Sequence, residues 1–384
     1  MYKKIILKPT KEKSLLRQHL WVFSGAIAKS DSDIQNGEIV EVYSSKNDFL
    51  ALGHYQNGSI SVRILTFEKV EINYDFWLEK LKKAIDYRKT INLLPSEVSN
   101  VFRLVHGEGD YCPGLVIDIY NHSAVVQIHS VGMSNARFEI VAALQQFVEL
   151  KLNNIFLRDE INNTVEQKLG NESETIVVEN NFKFKVDLIK GQKTGFFIDQ
   201  RENRNLLAKY CNNKSVLNLF SYTGGFSVYA AGSGALLVHT VDSSEPAIKI
   251  ANSNIELNNV SANHCSYAVD AFDFLKDMKV DYDLIILDPP AFAKHIKSLS
   301  NAREAYIRLN RTAIKAIKSG GIIFTFSCSQ VVSKEIFRNL IFTAAYQAGR
   351  TVRVLNQLTQ PPDHPVNLFH PESEYLKGLV IYVE

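Results

Sequence analysis

The chain has 384 residues, of which 46% are apolar and 22% are charged, as in an ordinary globular protein. The 43 basic and 41 acidic residues give a formal net charge of +2, which argues weakly against a surface coated with positive charge for nucleic acid. No apolar run reaches the ~18 residues that span a bilayer, and the N-terminus lacks the apolar stretch of a signal peptide. We therefore expect a cytoplasmic protein without membrane contact, divided into two or three domains.

Residues 1–73 predict a small, mostly β domain. Three short runs have strand character, namely EIVEVYS (38–44), FLALGHY (49–55) and SISVRILTF (59–67), and glycines separate them. The last run alternates apolar and polar residues, which is typical of a half-buried strand. The preceding segment, residues 11–27, predicts a short helix followed by a loop.

Residues 74–190 predict an α+β middle domain. Apolar residues recur at helical spacing in FWLEKLKKAIDYRKTINL (76–93), and residues 135–150 form a second amphipathic pattern. Between them, the turn-rich GEGDYCPG (107–114) predicts a hairpin, and further strands are expected up to Lys190.

Residues 191–384 alternate short apolar runs with helical patterns, which predicts a parallel sheet covered by helices on both faces. The fold class is therefore α/β, with a Rossmann-like C-terminal domain after the two smaller ones. The predicted strands are SVLNLF (215–220), ALLVHTVD (235–242), CSYAVD (265–270), YDLIILD (282–288) and GIIFTFS (321–327).

Polar residues and glycines follow the first three of these strands, where α/β sheets bind their ligands. LNLFSYTGGF ends in Gly224 and Gly225, Asp242 ends the next strand, and Asp270 ends the third. Each acid alone is more often a turn or helix-capping residue. Together they favour a nucleoside site, with a nicotinamide dinucleotide and S-adenosylmethionine (SAM) as the two candidate ligands.

The fourth strand decides between these ligands. It ends in Asp288-Pro289-Pro290, followed by Phe292. Two prolines stiffen the loop, and its carbonyls and carboxylate can accept hydrogen bonds from a nucleobase. A dehydrogenase has no use for such a loop, and its GxGxxG motif is absent, so SAM is the favoured cofactor.

The four cysteines form no CxxC pair, so neither a zinc knuckle nor a disulfide framework is indicated, and we expect no metal. Cys112, Cys211 and Cys265 are expected to be buried structural thiols. Cys328 instead follows the fifth strand, between two serines. A thiolate there could add to carbon 6 of a pyrimidine and thereby activate carbon 5 for methylation.

Two polar segments remain open to more than one interpretation. GQKTGFFIDQRENR (191–204) could wall the cofactor site or serve as a domain linker. Residues 289–318 contain seven basic residues and one acid, and a subset spaced by three or four lies on one helix face. That face could bind phosphates or could simply be solvated. The subset is Arg308, Arg311, Lys315 and Lys318.

These motifs together resemble bacterial class I SAM-dependent large-subunit (23S) rRNA methyltransferases of the RlmI type, which make 5-methylcytosine. The resemblance covers nearly the whole chain, because KSLLRQHLWVFSGAI, FRLVHGEGDYCPGLVIDIY, GQKTGFFIDQR, LNLFSYTGGFSVYAA, VDSS, LDPPAF, FSCSQ, DHPV and PESEYLKGLV match in order. It implies an N-terminal RNA-binding PUA domain, an RNA substrate and a flipped-out target base.

The resemblance also implies a role for each matched residue. Cys328 would be the nucleophile and Asp288 would hydrogen-bond the target base. The expected cofactor residues are Phe220, Ser221, Tyr222, Gly224, Asp242, Asp270, Ala271, Gln200 and Arg201. The expected substrate residues are Pro289, Pro290, Phe292, Arg308, Arg311 and Lys315.

Three alternatives remain beside this interpretation. The loop could serve a guanine or exocyclic-amine methyltransferase without a nucleophile, or the chain could be a noncatalytic RNA-binding assembly factor. A dehydrogenase is the least supported. The oligomeric state, including a homodimer, stays open.

Overall fold

The computed structural model describes residues 2–189, 195–261, 263–293 and 295–384. The chain forms two compact units that alternate along the sequence. The first comprises Met1–Val177, Val186–Gly195 and Pro362–Ser373, and the second comprises Val178–Lys185, Phe196–Pro361 and Glu374–Glu384. The division into three domains at residues 73 and 190 stays a prediction. Among the described residues, no helix combines the length and the apolarity needed to cross a membrane.

The first unit begins with a six-stranded sheet of order β2-β6-β5-β4-β1-β3, in which only β1 and β4 pair in parallel. Residues 11–27, predicted as a short helix followed by a loop, contain α1 as expected, but the part after the helix holds β2 and the first residue of β3. The loop prediction is wrong there because these strands are too short to show a periodic pattern. The elements are β1 (Lys3–Leu7), α1 (Lys13–Leu16), β2 (Trp21–Phe23), β3 (Ile27–Ser30), β4 (Ile39–Tyr43), β5 (Phe49–Tyr55) and β6 (Ile60–Thr66).

A five-stranded sheet of order β11-β10-β9-β8-β7 follows, and its apolar face packs against helices in one core. The predicted helix after residue 73 is confirmed, and the Asn73 side chain caps it by accepting a hydrogen bond from the Phe76 amide at 3.2 Å. The elements are α2 (Tyr74–Thr90), β7 (Val101–His106), β8 (Leu115–Tyr120), β9 (Ser123–Ile128), α3 (Val131–Asn135), α4 (Arg137–Leu144), β10 (Asn154–Asp159) and β11 (Thr164–Leu169).

A hairpin of β12 (Glu174–Glu179) and β13 (Phe182–Asp187) leads into the seven-stranded sheet of the second unit. Its order is β16-β15-β14-β17-β18-β20-β19, with apolar cores on both faces. The elements are α5 (Arg201–Ala208), β14 (Ser215–Leu219), α6 (Gly225–Gly232), β15 (Leu237–Asp242), α7 (Glu245–Leu257), β16 (His264–Ala268), α8 (Ala271–Lys276), β17 (Leu284–Leu287), α9 (Leu299–Ala316), β18 (Gly321–Ser327), α10 (Lys334–Ala348), β19 (Val352–Thr359) and β20 (Lys377–Val383).

The five predicted strands of this sheet are parallel and confirmed. The expectation of a parallel sheet fails only at its end, where β20 runs antiparallel to both β18 and β19. The chain proceeds outward from β14 to β16 and then returns to β17 on the other side of β14. This reversal opens a crevice at the carboxyl ends of the central strands, where open α/β sheets bind ligands.

Candidate active site

The turn after β14 has a strained backbone. Phe220 and Tyr222 have φ values of 57° and 47°, a left-handed conformation that costs a non-glycine residue roughly 1–2 kcal/mol, and Gly224 has φ 78°. Within the described residues, the buried Ser221 hydroxyl has no hydrogen-bond partner. A buried hydroxyl in this position fits a polar ligand that would pair with it.

Asp242, at the end of β15, stabilises that turn. Its Oδ2 accepts a hydrogen bond from the Tyr222 amide at 2.8 Å, and its Oδ1 accepts one from the Ser244 amide at 2.9 Å. A carboxylate offers about four acceptor positions, so two remain for the hydroxyls of a ribose. The residue is half-buried and thus accessible, which agrees with the predicted ribose contact.

Asp270 caps α8. Its Oδ1 accepts hydrogen bonds from the amides of Phe272 (2.8 Å) and Asp273 (3.2 Å), while Ala271 is buried. Asp270 therefore does act as a helix-capping residue, the more common role for such an acid. Because both bonds use Oδ1, Oδ2 can still accept from an amino group such as that of adenine.

The structure joins two residues that sequence analysis treated separately. Gln200 Nε2 donates to Asp288 Oδ2 at 2.9 Å, and Asn203 Nδ2 donates to Gln200 Oε1 at 2.6 Å. Gln200 and Asn203 are buried, whereas Asp288 is half-buried at the end of β17. The buried amides thus fix the orientation of the carboxylate that faces the crevice.

Contacts of Arg204 hold the segment before α5 in place. Arg204 forms a buried, two-bond ion pair with Glu179, both at 2.8 Å, and its Nη1 donates to the Phe197 carbonyl at 2.9 Å. The predicted cofactor residue Arg201 is buried, and its Nε donates to Glu202 at 3.1 Å. The predicted wall residues Gln192, Lys193 and Thr194 lie outside the described residues.

Cys328 is the first residue after β18, and its side chain is partly exposed. The serines on either side are buried and bonded. Ser327 Oγ lies 2.8 Å from the Tyr306 hydroxyl, and Ser329 Oγ donates to the Ala293 carbonyl at 2.5 Å. Burial raises the pKa of Tyr306 to about 12, so its hydroxyl keeps its proton. The turn therefore holds the thiol in place while leaving it accessible.

Lys377 is a residue of this site that sequence analysis did not single out. It lies on β20 opposite Ser327 of β18, and it is buried. Its Nζ donates to the carbonyls of Ser329 (2.6 Å) and Val332 (2.7 Å), on the turn that follows Cys328. Burial lowers its pKa to about 8, against the opposing effect of negative charge on Cys328. The sequence feature that could have identified it is a lysine at the start of the otherwise apolar strand KGLVIYV.

The proline loop has one buried and one exposed member, Pro289 and Pro290. Phe292 is half-buried and packs against Tyr306 with a ring-centroid distance of 4.7 Å. Part of the Phe292 side chain therefore remains exposed.

The basic face of α9 extends away from this crevice. The helix begins after the proline loop, and Lys318, just beyond its end, pairs with Asp283 at 3.3 Å, beside the amino end of β17. At 1.5 Å per residue, Lys315 lies roughly 24 Å along the helix from Leu299. The structure thus does not bring Lys315 to the catalytic edge. Arg308 lies nearer and covers the Phe272 ring at 4.5 Å, and Arg311 Nη1 donates to Gln347 at 3.2 Å.

The other cysteines differ in exposure. Cys112 and Cys211 are buried, as predicted, and burial raises their pKa values to about 11 and about 12. The prediction is wrong for Cys265, which is exposed because β16 is the edge strand of the sheet.

Comparison with known proteins identifies the family and the fold of the chain. The model of a PUA-like domain matches residues 5–67, and that of S-adenosylmethionine-dependent methyltransferases matches residues 142–378. The ribosomal RNA large subunit methyltransferase I of Alteromonas mediterranea is 37% identical, with 100% of this chain and 99% of the relative covered. Its namesake in Aeromonas salmonicida is 37% identical over 98% of both chains.

Two solved structures match along the whole chain. A candidate SAM-dependent methyltransferase from Streptococcus mutans has a TM-score of 0.86 at 26% identity, and SMU.776, a candidate methyltransferase complexed with SAH, has 0.87 at 27%; each match covers 99% of both chains. The predicted PUA-like and Rossmann-like methyltransferase folds are confirmed.

Proposed function

This chain belongs to the S-adenosylmethionine-dependent methyltransferase family, and from that premise we propose that it forms 5-methylcytosine in the 23S RNA of the large ribosomal subunit. Cys328 is the proposed nucleophile and Asp288 the group that holds the target base. The names of its relatives support the RNA substrate, and the PUA-like domain supports RNA binding.

One observation carries the proposal. Strands β17 and β18 are hydrogen-bonded neighbours, with Leu287 paired to Thr325, so the loops that follow them lie side by side. Asp288 and Cys328 therefore flank the same crevice, as close as adjacent strand ends about 5 Å apart allow. A methyltransferase that acts on an exocyclic amine needs Asp288 but has no need of an accessible thiol at Cys328.

The Cys328 thiolate adds to carbon 6 of the cytosine, forming a carbon–sulfur bond and making carbon 5 nucleophilic. SAM, when bound, would supply the electrophilic methyl group, with S-adenosylhomocysteine as the leaving group. After carbon 5 has taken up the methyl group, a base removes the carbon-5 proton, the carbon–sulfur bond breaks, and the ring double bond is restored. The target must leave the RNA stack, because carbon 6 is otherwise out of reach.

Other side chains of the crevice position the reactants. The Asp288 carboxylate, oriented by Gln200, accepts a hydrogen bond from the cytosine amino group. The Phe292 ring and Tyr222 stack on the extruded base. Ser221, Asp242 and Asp270 hold the methionine, ribose and adenine parts of the cofactor, with Phe220, Gly224 and Ala271 beside them, and Lys377 keeps the turn of the nucleophile in place.

Methylation of large-subunit RNA from cells that lack the gene tests this proposal. Cys328→Ala is expected to abolish 5-methylcytosine, measured by mass spectrometry, while SAM affinity measured by calorimetry stays within about twofold of wild type. Cys265→Ala is the matched control, since that thiol is also exposed but lies on the edge strand.

A trapping experiment addresses the adduct itself. RNA carrying 5-fluorocytosine cannot lose a proton from carbon 5, so wild type is expected to accumulate a covalent complex that Cys328→Ala does not form. Formation of 5-methylcytosine by the Cys328→Ala variant would contradict the assignment of Cys328 as the nucleophile. Methyl groups found on an exocyclic amine or on guanine would favour the amine alternative.

A further inference from the structure

The first unit contains a cluster of metal-ligating side chains outside the crevice. His19, His370 and Glu372 each bring one ligand atom to within 4.8 Å of the other two. His19 Nε2 lies 3.3 Å from Glu372 Oε2, and His370 Nε2 lies 3.9 Å from the same oxygen. Methyl transfer in the second unit uses none of the three.

His370 is the unusual member of the cluster. The residue is 0% exposed, and neither ring nitrogen has a hydrogen-bond partner among the described residues. Buried polar atoms without partners are rare, because each loses its hydration at a cost that no hydrogen bond offsets. A ligand that accepts electron density from a ring nitrogen would remove that cost. We propose that His19, His370 and Glu372 form a Zn²⁺ site.

The ligand set and its spacing suit this ion. Two imidazoles and one carboxylate are a known zinc set, with bonds of about 2.0–2.2 Å and a fourth position open to water. Tetrahedral bonds of that length put the ligand atoms about 3.3–3.6 Å apart. The His19–Glu372 pair already has this spacing, at 3.3 Å. The His370–Glu372 pair, at 3.9 Å, must shorten by about 0.3–0.6 Å, and the 45% exposed Glu372 side chain can supply that movement. The remaining distance, between the two imidazoles, is at most 4.8 Å and shortens by a small rotation of the His19 ring, whose side chain is 17% exposed.

The surroundings hold the two histidines in position. The Ser373 hydroxyl donates to the His370 carbonyl at 2.8 Å, and the Trp21 ring packs edge-on against the His370 ring at 4.4 Å. His19 Nδ1 accepts a hydrogen bond from the Trp21 amide at 3.2 Å and lies 3.3 Å from the Trp21 carbonyl. These contacts direct Nε2 toward Glu372, where Zn²⁺ would take the place of the Nε2 proton.

The formal charges around the cluster also suit a divalent cation. Glu372 is a ligand of the proposed site, and Glu108, a second carboxylate, lies near His370. Glu108 Oε1 accepts from the Trp21 indole at 2.9 Å and remains outside the ligand set.

Zinc uptake by the untagged full-length protein tests the site. The protein is stripped with a chelator, loaded with Zn²⁺, desalted and analysed for metal content. Wild type is expected to retain about one Zn²⁺ per chain. His19→Ala and Glu372→Gln should each lower the affinity measured by calorimetry at least about tenfold. His122→Ala and Glu97→Gln are matched controls, because both side chains are exposed elsewhere in the unit.

Two further measurements make the result decisive. Co²⁺ in place of Zn²⁺ should give the strong visible absorption of a tetrahedral site in wild type and in both controls. Zn²⁺ should also raise the Tm of wild type but not that of His19→Ala. No retained Zn²⁺ in wild type, or equal retention by Glu372→Gln and wild type, would overturn the proposal.

Discussion

Replacement of Lys377 by Met tests whether a buried amine supports the turn of the nucleophile. Methionine replaces the aliphatic part of the side chain but lacks the terminal amine, so it removes the charge and both hydrogen bonds, to Ser329 and Val332. Two opposing effects on the free energy of unfolding follow. The variant loses hydrogen bonds, and it also loses the cost of burying a charged amine.

The pKa of Lys377 gives the size of the second effect. A fall from 10.5 to about 8 on folding corresponds to about 3 kcal/mol against the charged form. Below pH 8 the folded protein bears this cost in full. Between pH 8 and 10.5 the unfolded chain holds one more proton than the folded chain, so stability rises with pH. Wild type should therefore gain about 3 kcal/mol over Lys377→Met across that range.

Urea unfolding of both proteins at pH 7, 9 and 10.5 measures this difference, and subtraction cancels the groups that titrate in both. Lys209→Met is the matched control, because it makes the same substitution at an exposed lysine outside this turn. A difference between wild type and Lys377→Met that is flat or falls with pH would refute the reasoning.

Three other substitutions probe the site. Arg204→Met should lower the free energy of unfolding by about 3–5 kcal/mol in urea, because Glu179 is left buried and unpaired, and a loss below about 1 kcal/mol would contradict a buried ion pair. Gln200→Leu should lower kcat about tenfold with unchanged SAM affinity if it acts through Asp288, whereas weaker SAM binding alone would make it a cofactor contact. Asp242→Asn should weaken SAM binding about tenfold in calorimetry, since an amide nitrogen must then face one of two backbone donors, and unchanged affinity would exclude the ribose role.

The central sheet could be predicted because each of its strands is an apolar run bounded by turn residues, and because parallel strands place their carboxyl ends at one edge. Asp242, Asp270, Asp288 and Cys328 were located by this argument alone. β19 and β20 were not among the five predicted strands: VRVLNQLT of β19 is not an apolar run, and the apolar run of β20 would not have shown its antiparallel direction.

The contacts that orient these residues could not be predicted. Gln200 and Asp288 are 88 positions apart, and Lys377 lies 48 positions from Ser329. Both contacts arise only when the strands are paired. The contact between His19 and Glu372, which are 353 positions apart, likewise forms only in the folded chain. A search for metal ligands by local spacing finds ligands of one helix or one loop, and so it indicated no metal in this chain.

The basic stripe shows a different kind of limit. A spacing of three or four places Arg308, Arg311 and Lys315 on one face of α9, and that inference needs only the helical period. It does not tell which end of the helix lies at the catalytic edge. The pair between Lys318 and Asp283 settles the direction, because Asp283 precedes β17. Phosphates near the reacting base can therefore meet Arg308 more readily than Lys315, although both residues belong to the same stripe.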